Sequence, residues 1–236
     1  MITTGTGNSY VLQHINKHVF TDPVGLMENA CGVTEYIRAQ GGKALCFLRT
    51  LDEKLCYVDE DGEFWRAYAF VKGFCMDLPE TENDVYQSAL AFGRFQHQLS
   101  GYPAHTLHES LPNFHNTPDR FRQLKGAIEE DRCGRLKTAG AEVEFYLSHE
   151  QLGGKLQAML QQGILPLRVT HNDTKLNNVL LDPVTHEPLC VLDLDTVMPG
   201  LSAYDFGDSI RFGAATAAED EQDASKMKLD LHLFEI

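Results

Sequence analysis

A polar octad, His171-Asn172-Asp173-Thr174-Lys175-Leu176-Asn177-Asn178, stands between the short run Leu167 to Thr170 and the apolar run Val179 to Leu181. A further apolar run, Leu189 to Leu194, follows after Asp182-Pro183-Val184-Thr185-His186-Glu187-Pro188. Short apolar runs bounded by turn residues read as strands, and two joined this closely read as a hairpin. The hairpin sets the octad beside the mouth of its second strand. Asp173, Asn178 and Asp193 then converge at one end of it.

That convergence has a chemistry. Moving a phosphoryl group onto an alcohol requires the hydroxyl to be oriented and its proton taken up, and a nearby carboxylate does both. Asp173 is the candidate. Mg2+ neutralises charge on nucleotide phosphates and prefers oxygen ligands. Asn178 offers a side-chain carbonyl and Asp193 a carboxylate. By strand alternation Asp195 points the same way as Asp193, to take a second metal contact or to hold the loop. Lys175 either offsets charge near the transferring phosphoryl or lies in solvent. His171 heads the loop and supports it. Downstream, Tyr204-Asp205-Phe206-Gly207-Asp208 opens a helix carrying Ile210 and Phe212. Asp205 and Asp208 either cap that helix or tie the octad down by hydrogen bonds.

The first third reads as a small sheet with one helix. Ser9 to Ile15 is a strand, and Asp22-Pro23 starts a helix that runs to Ala39 before Gly41-Gly42. Ala44 to Arg49, Lys54 to Val58 and Phe64 to Val71 read as strands, with a turn at Asp61-Gly62. Most of the rest is helical. Val85, Ala89, Phe92, Phe95 and Leu99 make an apolar helix face. Pro103 to Pro118 is loop-rich, and Arg120 to Gln161 reads as two helices broken near Lys137 to Gly140.

The 236 residues, 43% hydrophobic, suit one large domain or two small ones with a real core. Net charge is −14, from 34 acidic and 20 basic residues, and no basic run stands out. Nucleic acid is therefore not an expected partner, since phosphate neutralisation needs a basic surface. The six cysteines form no CxxC pair and read as buried free thiols. No signal peptide and no membrane-length apolar run is visible, so a cytoplasmic protein is expected.

The set His171-Asn172-Asp173…Asn178, Val191-Leu192-Asp193 and Tyr204-Asp205-Phe206-Gly207-Asp208 resembles the aminoglycoside phosphotransferase and choline kinase superfamily. More closely, HNDTKLNNVLLD with VLDLDTVMPG and YDFGDSIRFGA is similar to the N-acetylhexosamine 1-kinases. Tyr10 to Phe20, Leu26-Met27-Glu28-Asn29 and Phe92-Gly93-Arg94-Phe95-Gln96 carry the same likeness, which runs over essentially the whole chain. The resemblance implies an α+β, protein-kinase-like bilobal fold. Residues 1–74 would belong to the nucleotide-binding lobe and 75–236 to the catalytic and substrate lobe. It implies transfer of the ATP γ-phosphoryl, with Mg2+, to the anomeric hydroxyl of a small-molecule sugar, N-acetylglucosamine or N-acetylgalactosamine. Asp173 would be the base, and Asn178 and Asp193 the metal ligands. Val71, Gly73 and Phe74 would form the hinge beside the adenine. Glu28 would either pair with the phosphate-binding cation or sit exposed on its helix. Asn172 would touch the acceptor, and Arg120, after Phe114-His115-Asn116-Thr117, would either contact sugar or pack its loop.

The chain departs from the family pattern in two places. Only nine residues precede Tyr10, with Gly5-Thr6-Gly7 resembling the turn between the first two strands, and the basic residue expected near Leu12-Gln13 is His14. Family members also continue well past Leu233-Phe234-Glu235. The expectation is a fold truncated at both ends and a chain that is a weak kinase or none. Three alternatives stand beside the sugar kinase. One is a kinase-like protein that binds nucleotide without turnover. Another is a kinase of the same superfamily acting on a different alcohol. The last is a metal-dependent phosphoesterase built on His171, Asp173, Asp193 and Asp195.

Overall fold

The computed structural model describes residues 1–217 and 219–236. They divide into two compact units, Met1–Leu111 with Arg168–Ile236, and Pro112–Leu167.

The first unit opens with an antiparallel sheet of order β1-β2-β4-β3, from β1 (Ile2–Thr3), β2 (Ser9–Ile15), β3 (Tyr57–Val58) and β4 (Phe64–Ala69). Gly7, at φ +85°, closes the β1–β2 turn and donates to Thr4 O at 2.9 Å. In the β2–β4 register Gln13 faces Arg66, His14 faces Trp65 and Ile15 faces Phe64. Side chains alternate across a strand, so Gln13, Ile15, Phe64 and Arg66 share one face, and His14 and Trp65 share the other. Ile15 buries that first face against Leu26, Met27 and Cys31 of α1 (Pro23–Ala39).

Helix α1 begins where its sequence says it should. The Asp22 carboxylate accepts from Gly25 N at 2.9 Å, and Pro23 occupies the first turn, where its missing N–H costs nothing. Buried Asn29 ties the helix into the fold. Its Nδ2 donates to His108 O and Val197 O at 2.8 and 2.9 Å, and its Oδ1 accepts from His108 N at 2.8 Å.

Helix α2 (Glu82–Gln98) starts with a capping box between Thr81 and Asp84. Its face, Ala91, Phe92, Phe95 and then Leu99, packs in one core with Val169, Val179, Leu181, Val191, Leu194 and Val197. Those last residues come from β5 (Arg168–Thr170), the hairpin β6 (Val179–Leu181) and β7 (Pro188–Val191), and the turn after it. The expected hairpin is present, but its second strand stops at Val191, short of Leu194.

Three further expectations shift. Ala44 to Arg49 is not a strand. It follows β4 through two backbone hydrogen bonds, Leu48 N to Ala67 O and Ala69 N to Cys46 O, and one bridge between Phe47 and Tyr68. Met198–Gly200, read as loop, is a strand, β8, paired antiparallel with β5. Gly200 permits the approach, since a Cβ there would lie 2.2 Å from Thr170 Oγ1. Among the cysteines, Cys31, Cys56 and Cys190 are buried, while Cys75 and Cys133 are exposed; all are free.

The second unit holds α3 (Thr117–Glu130), α4 (Gly140–Ser148), α5 (Glu150–Gly153) and α6 (Lys155–Gln161) where two helices were expected. Asp131, at φ +34°, ends α3, and Gly153-Gly154 splits the later stretch. Gly153 packs so closely on Phe121 that a Cβ would lie 2.6 Å from the ring. The first unit resumes at β5 and, after β8, adds α7 (Ser202–Gly213) and α8 (Leu231–Glu235). Among the described residues no helix is long and apolar enough to cross a membrane.

Asn29→Ala strands a buried carbonyl at Val197 and both backbone groups of His108. The substitution is expected to cost about 2–4 kcal/mol of unfolding free energy. Urea denaturation measures this, and an unchanged midpoint would mean that Asn29 does not fasten α1.

Candidate active site

The octad is held from beneath by one carboxylate. Asp205, buried on α7, accepts from His171 N at 2.9 Å through Oδ2 and from Asn172 N at 2.8 Å through Oδ1. Gln96 Nε2 adds a 2.5 Å contact to Oδ2. Burial pushes the Asp205 carboxyl above its usual range, and the two backbone N–H groups pull it back. Asp208, one turn on, accepts from Thr174 N at 2.7 Å. Thr174 Oγ1 returns a bond to Asp205 O at 2.9 Å. Of the two roles open to Asp205 and Asp208, capping is not the one taken. The helix starts at Ser202 behind Leu201, so both residues lie inside it and their carboxylates point back to the loop.

His171 is fully buried, with its ring edge-on to Phe92 and Phe95 at 5.3 and 5.8 Å between centroids. Asp173 N donates to Nδ1 at 3.3 Å, so Nδ1 carries the lone pair. The hydrogen is therefore on Nε2, which donates to Leu192 O at 2.8 Å. A neutral imidazole thus links the octad to the residue before Asp193. Thr196 Oγ1 closes the other side on His171 O at 2.6 Å, and Asn172 Nδ2 donates to Thr196 O at 2.8 Å.

These clamps hold an unusual backbone. Asn172 has φ +65° and Asp193 φ +51°, in the left-handed region that costs non-glycine residues about 1–2 kcal/mol. Asp193 precedes a tight turn, Leu194–Thr196. Strand alternation therefore does not govern Asp195, which instead forms a part-buried ion pair with Arg66 of β4. Asp193 opens to solvent, where desolvation by the surrounding protein and the carboxylates of Asp195 and Asp173 push its carboxyl up.

Asp173 is partly exposed. Asn178 spends both amide hydrogens on it, donating to its O at 2.8 Å and its Oδ2 at 2.9 Å. Lys175 Nζ lies 3.3 Å from Oδ1, 3.8 Å from Glu219 Oε2 and 5.3 Å above the Phe212 ring. Lys175 is thus held beside the carboxylate rather than extended into solvent. The Asn178 amide leaves only Oδ1 for a further partner. Oδ1 and the Asp193 carboxylate form an all-oxygen donor pair, which fits a hard divalent cation. Among the described residues no three His, Cys, Asp or Glu side chains converge as a metal centre of their own. Remaining ligands would come from water and phosphate, as Mg2+ usually takes them.

The sequence profile of the phosphotransferase enzyme family matches residues 1–231. The chain belongs to this family. Among solved structures, it is similar to an aminoglycoside phosphotransferase from Alicyclobacillus acidocaldarius subsp. acidocaldarius DSM 446, at 16% identity and TM-score 0.59, covering 89% of this chain and 63% of that one. It is similar to the amicoumacin kinase hAmiN, solved with AMP-PNP, Ca2+ and Ami, at 15% identity and TM-score 0.61, covering 89% and 59%. It is also similar to aminoglycoside phosphotransferase APH(3'')-Id from Streptomyces rimosus ATCC10970 with ADP and streptomycin, at 15% identity and TM-score 0.52, covering 99% and 85%. These likenesses show a shared fold, the kinase-like α+β fold the sequence led us to expect. The chain spans 63% and 59% of the length of the first two.

The other expected site residues fall as follows. Residues Val71 to Phe74 run against the hairpin, where Phe74 N and O both bond Leu181 at 3.1 and 2.9 Å. Gly73 is needed there, because a Cβ would lie 2.7 Å from Leu181 O. His14 and Glu28 are not paired. His14 Nε2 meets Glu63 Oε2 at 2.7 Å on the outer sheet face, and Glu28 Oε2 meets His108 Nε2 at 2.6 Å. Asn172 is 5% exposed, with Nδ2 turned inward, so only its Oδ1 is left for an acceptor hydroxyl. Arg120 belongs to the second unit, where its guanidinium donates to Phe114 O at 3.1 Å. Arg66, Gln96 and Thr196 were not anticipated.

Asp205→Asn replaces one of two N–H acceptors with a donor. Backbone amide exchange at His171 and Asn172 is expected to speed up by about tenfold to a hundredfold, the equivalent of losing one charge-assisted hydrogen bond. Unchanged protection at both amides would show that the octad does not depend on α7.

Proposed function

We propose that this chain is the core of a phosphotransferase that moves the γ-phosphoryl of ATP onto an alcohol, with residues 1–74 serving the nucleotide and 75–236 the chemistry. The observation that carries this reading is the meeting of three features. They are a partly exposed Asp173, an Asn178 amide fixed on it, and an Asp193 carboxylate held on a strained turn by bonds to the same loop.

Asp173 takes the role of base. It accepts the hydroxyl proton as the acceptor oxygen bonds to the γ-phosphorus and the bridging P–O bond to ADP breaks. Lys175, 3.3 Å from Oδ1, keeps that carboxylate turned toward the loop mouth. Asn178 Oδ1 and Asp193 would hold Mg2+, which when bound offsets charge on the phosphates. Val71 to Gly73, which donate no backbone hydrogen bond among the described residues, serve the purine edge.

For the acceptor, we favour the anomeric hydroxyl of an N-acetylhexosamine, on the motif likeness that runs from Tyr10 to Phe212. A cationic amino alcohol is the second reading. It is favoured by the net charge of −14 and by relatives of this fold solved with streptomycin and kanamycin.

ADP release from Mg-ATP, with N-acetylglucosamine, N-acetylgalactosamine, streptomycin and kanamycin offered in turn, tests both. The expected outcome is turnover with an N-acetylhexosamine that falls at least about 100-fold in Asp173→Ala and disappears on chelation or in Asp193→Ala. Turnover with the aminoglycosides alone would move the assignment to the second reading. Turnover indifferent to Asp173→Ala would remove the proposed base.

A further inference from the structure

The face of the sheet that looks onto Asp195 carries one cation, and it is not the one the sequence pattern names. His14 alternates to the opposite face, beside Trp65 at 5.1 Å between rings, and is engaged by Glu63. Arg66 stands on the inner face and is 7% exposed. Its Nε donates to Gln13 Oε1 at 3.0 Å, its Nη1 pairs with Asp195, and its guanidinium lies 5.9 Å from the Phe47 ring centroid. Its Nη2 has no hydrogen-bond partner among the described residues, although it belongs to a side chain more than nine-tenths buried. A buried guanidinium that is oriented by three neighbours and keeps a donor edge open is a built anion site. It sits two residues from the Asp193 carboxylate through its ion pair.

We propose that Arg66, not His14, is the cation that grips the phosphates of the nucleoside triphosphate, with Asp195 and Gln13 aiming its free edge. The assignment rests on the phosphotransferase reading above. It explains why the family's basic position can hold a histidine in this chain, since the charge comes from the facing strand. Asp195 then has a role apart from metal: it holds Arg66 toward the turn that carries Asp193.

Titration of the full chain with Mg-ADP and, separately, with adenosine tests the assignment. Arg66→Gln is expected to weaken ADP by about tenfold or more, one charge-assisted contact, and to leave adenosine within about twofold. Arg66→Lys keeps the charge but not the fork, and is expected to fall between. Because Arg66→Gln alone strands the Asp195 carboxylate, Arg66→Gln with Asp195→Asn repeats the test in a chain with neither charge, and the same selective loss is expected. Unweakened ADP binding in the double variant would overturn the proposal. So would equal loss of ADP and adenosine, which marks a structural role, or a selective loss in His14→Gln. If the unchanged chain binds neither ligand, the phosphotransferase reading falls, and this proposal with it. If the unchanged chain and the Arg66 variants bind ADP alike, only this proposal falls.

Discussion

The Asp205 carboxylate decides whether there is a site at all. Two successive backbone N–H groups, from His171 and Asn172, point at its two oxygens. Successive amides can converge in this way only if the chain bends sharply, and Asn172 supplies the bend at φ +65°. Left unpaired in the interior, each N–H would cost about 1–3 kcal/mol. The carboxylate also carries its own desolvation cost, which is met by those N–H groups and Gln96. The arrangement is reciprocal. The loop needs the charge, and the charge is tolerable at that depth only because the loop is there.

From that anchor the order passes outward through His171. With Nδ1 accepting from Asp173 N and Nε2 donating to Leu192 O, the ring sets both the Asp173 loop and the start of the Asp193 turn. Thr196 and Asn172 fasten the far side of the same turn. The Asp193 carboxylate makes no hydrogen bond among the described residues. Its left-handed backbone is held by its neighbours, which leaves its carboxylate free for a ligand. Strain of this kind persists where the surroundings over-determine the backbone, and such places are where ligands are held.

Elements with local causes were legible in the sequence. The Asp22-Pro23 start predicts α1 with its observed ends, and Ser9 to Ile15 is the observed β2. The octad and the hairpin were legible too, because chemistry and spacing coincide there, while the Asp205–Asp208 tie was one of two readings the sequence left open. What escaped is non-local. Strand β8 exists because Gly200 lets Thr170 approach from 30 residues upstream, and no local pattern states that pairing. Helices α3 to α6 were read as two because glycine breaks and a left-handed Asp131 leave helical composition unchanged. The Arg66–Asp195 pair joins residues 129 apart.

The face on which His14 lies has a physical reason that the sequence already holds. Ile15 is the apolar anchor of β2, so a period of two puts Gln13 and Val11 on the buried face and turns His14 outward. A motif position matched along the chain says nothing of that face, because a shift of one residue moves a side chain to the other side of the sheet. Had the face been considered first, the search for a phosphate-facing cation would have moved to the strand opposite Gln13. The register puts Arg66 there, in the otherwise uncharged run Phe64-Trp65-Arg66-Ala67-Tyr68-Ala69. A guanidinium is costly to bury without a carboxylate partner. Its presence in such a strand therefore implies a partner such as Asp195 before any coordinate is known.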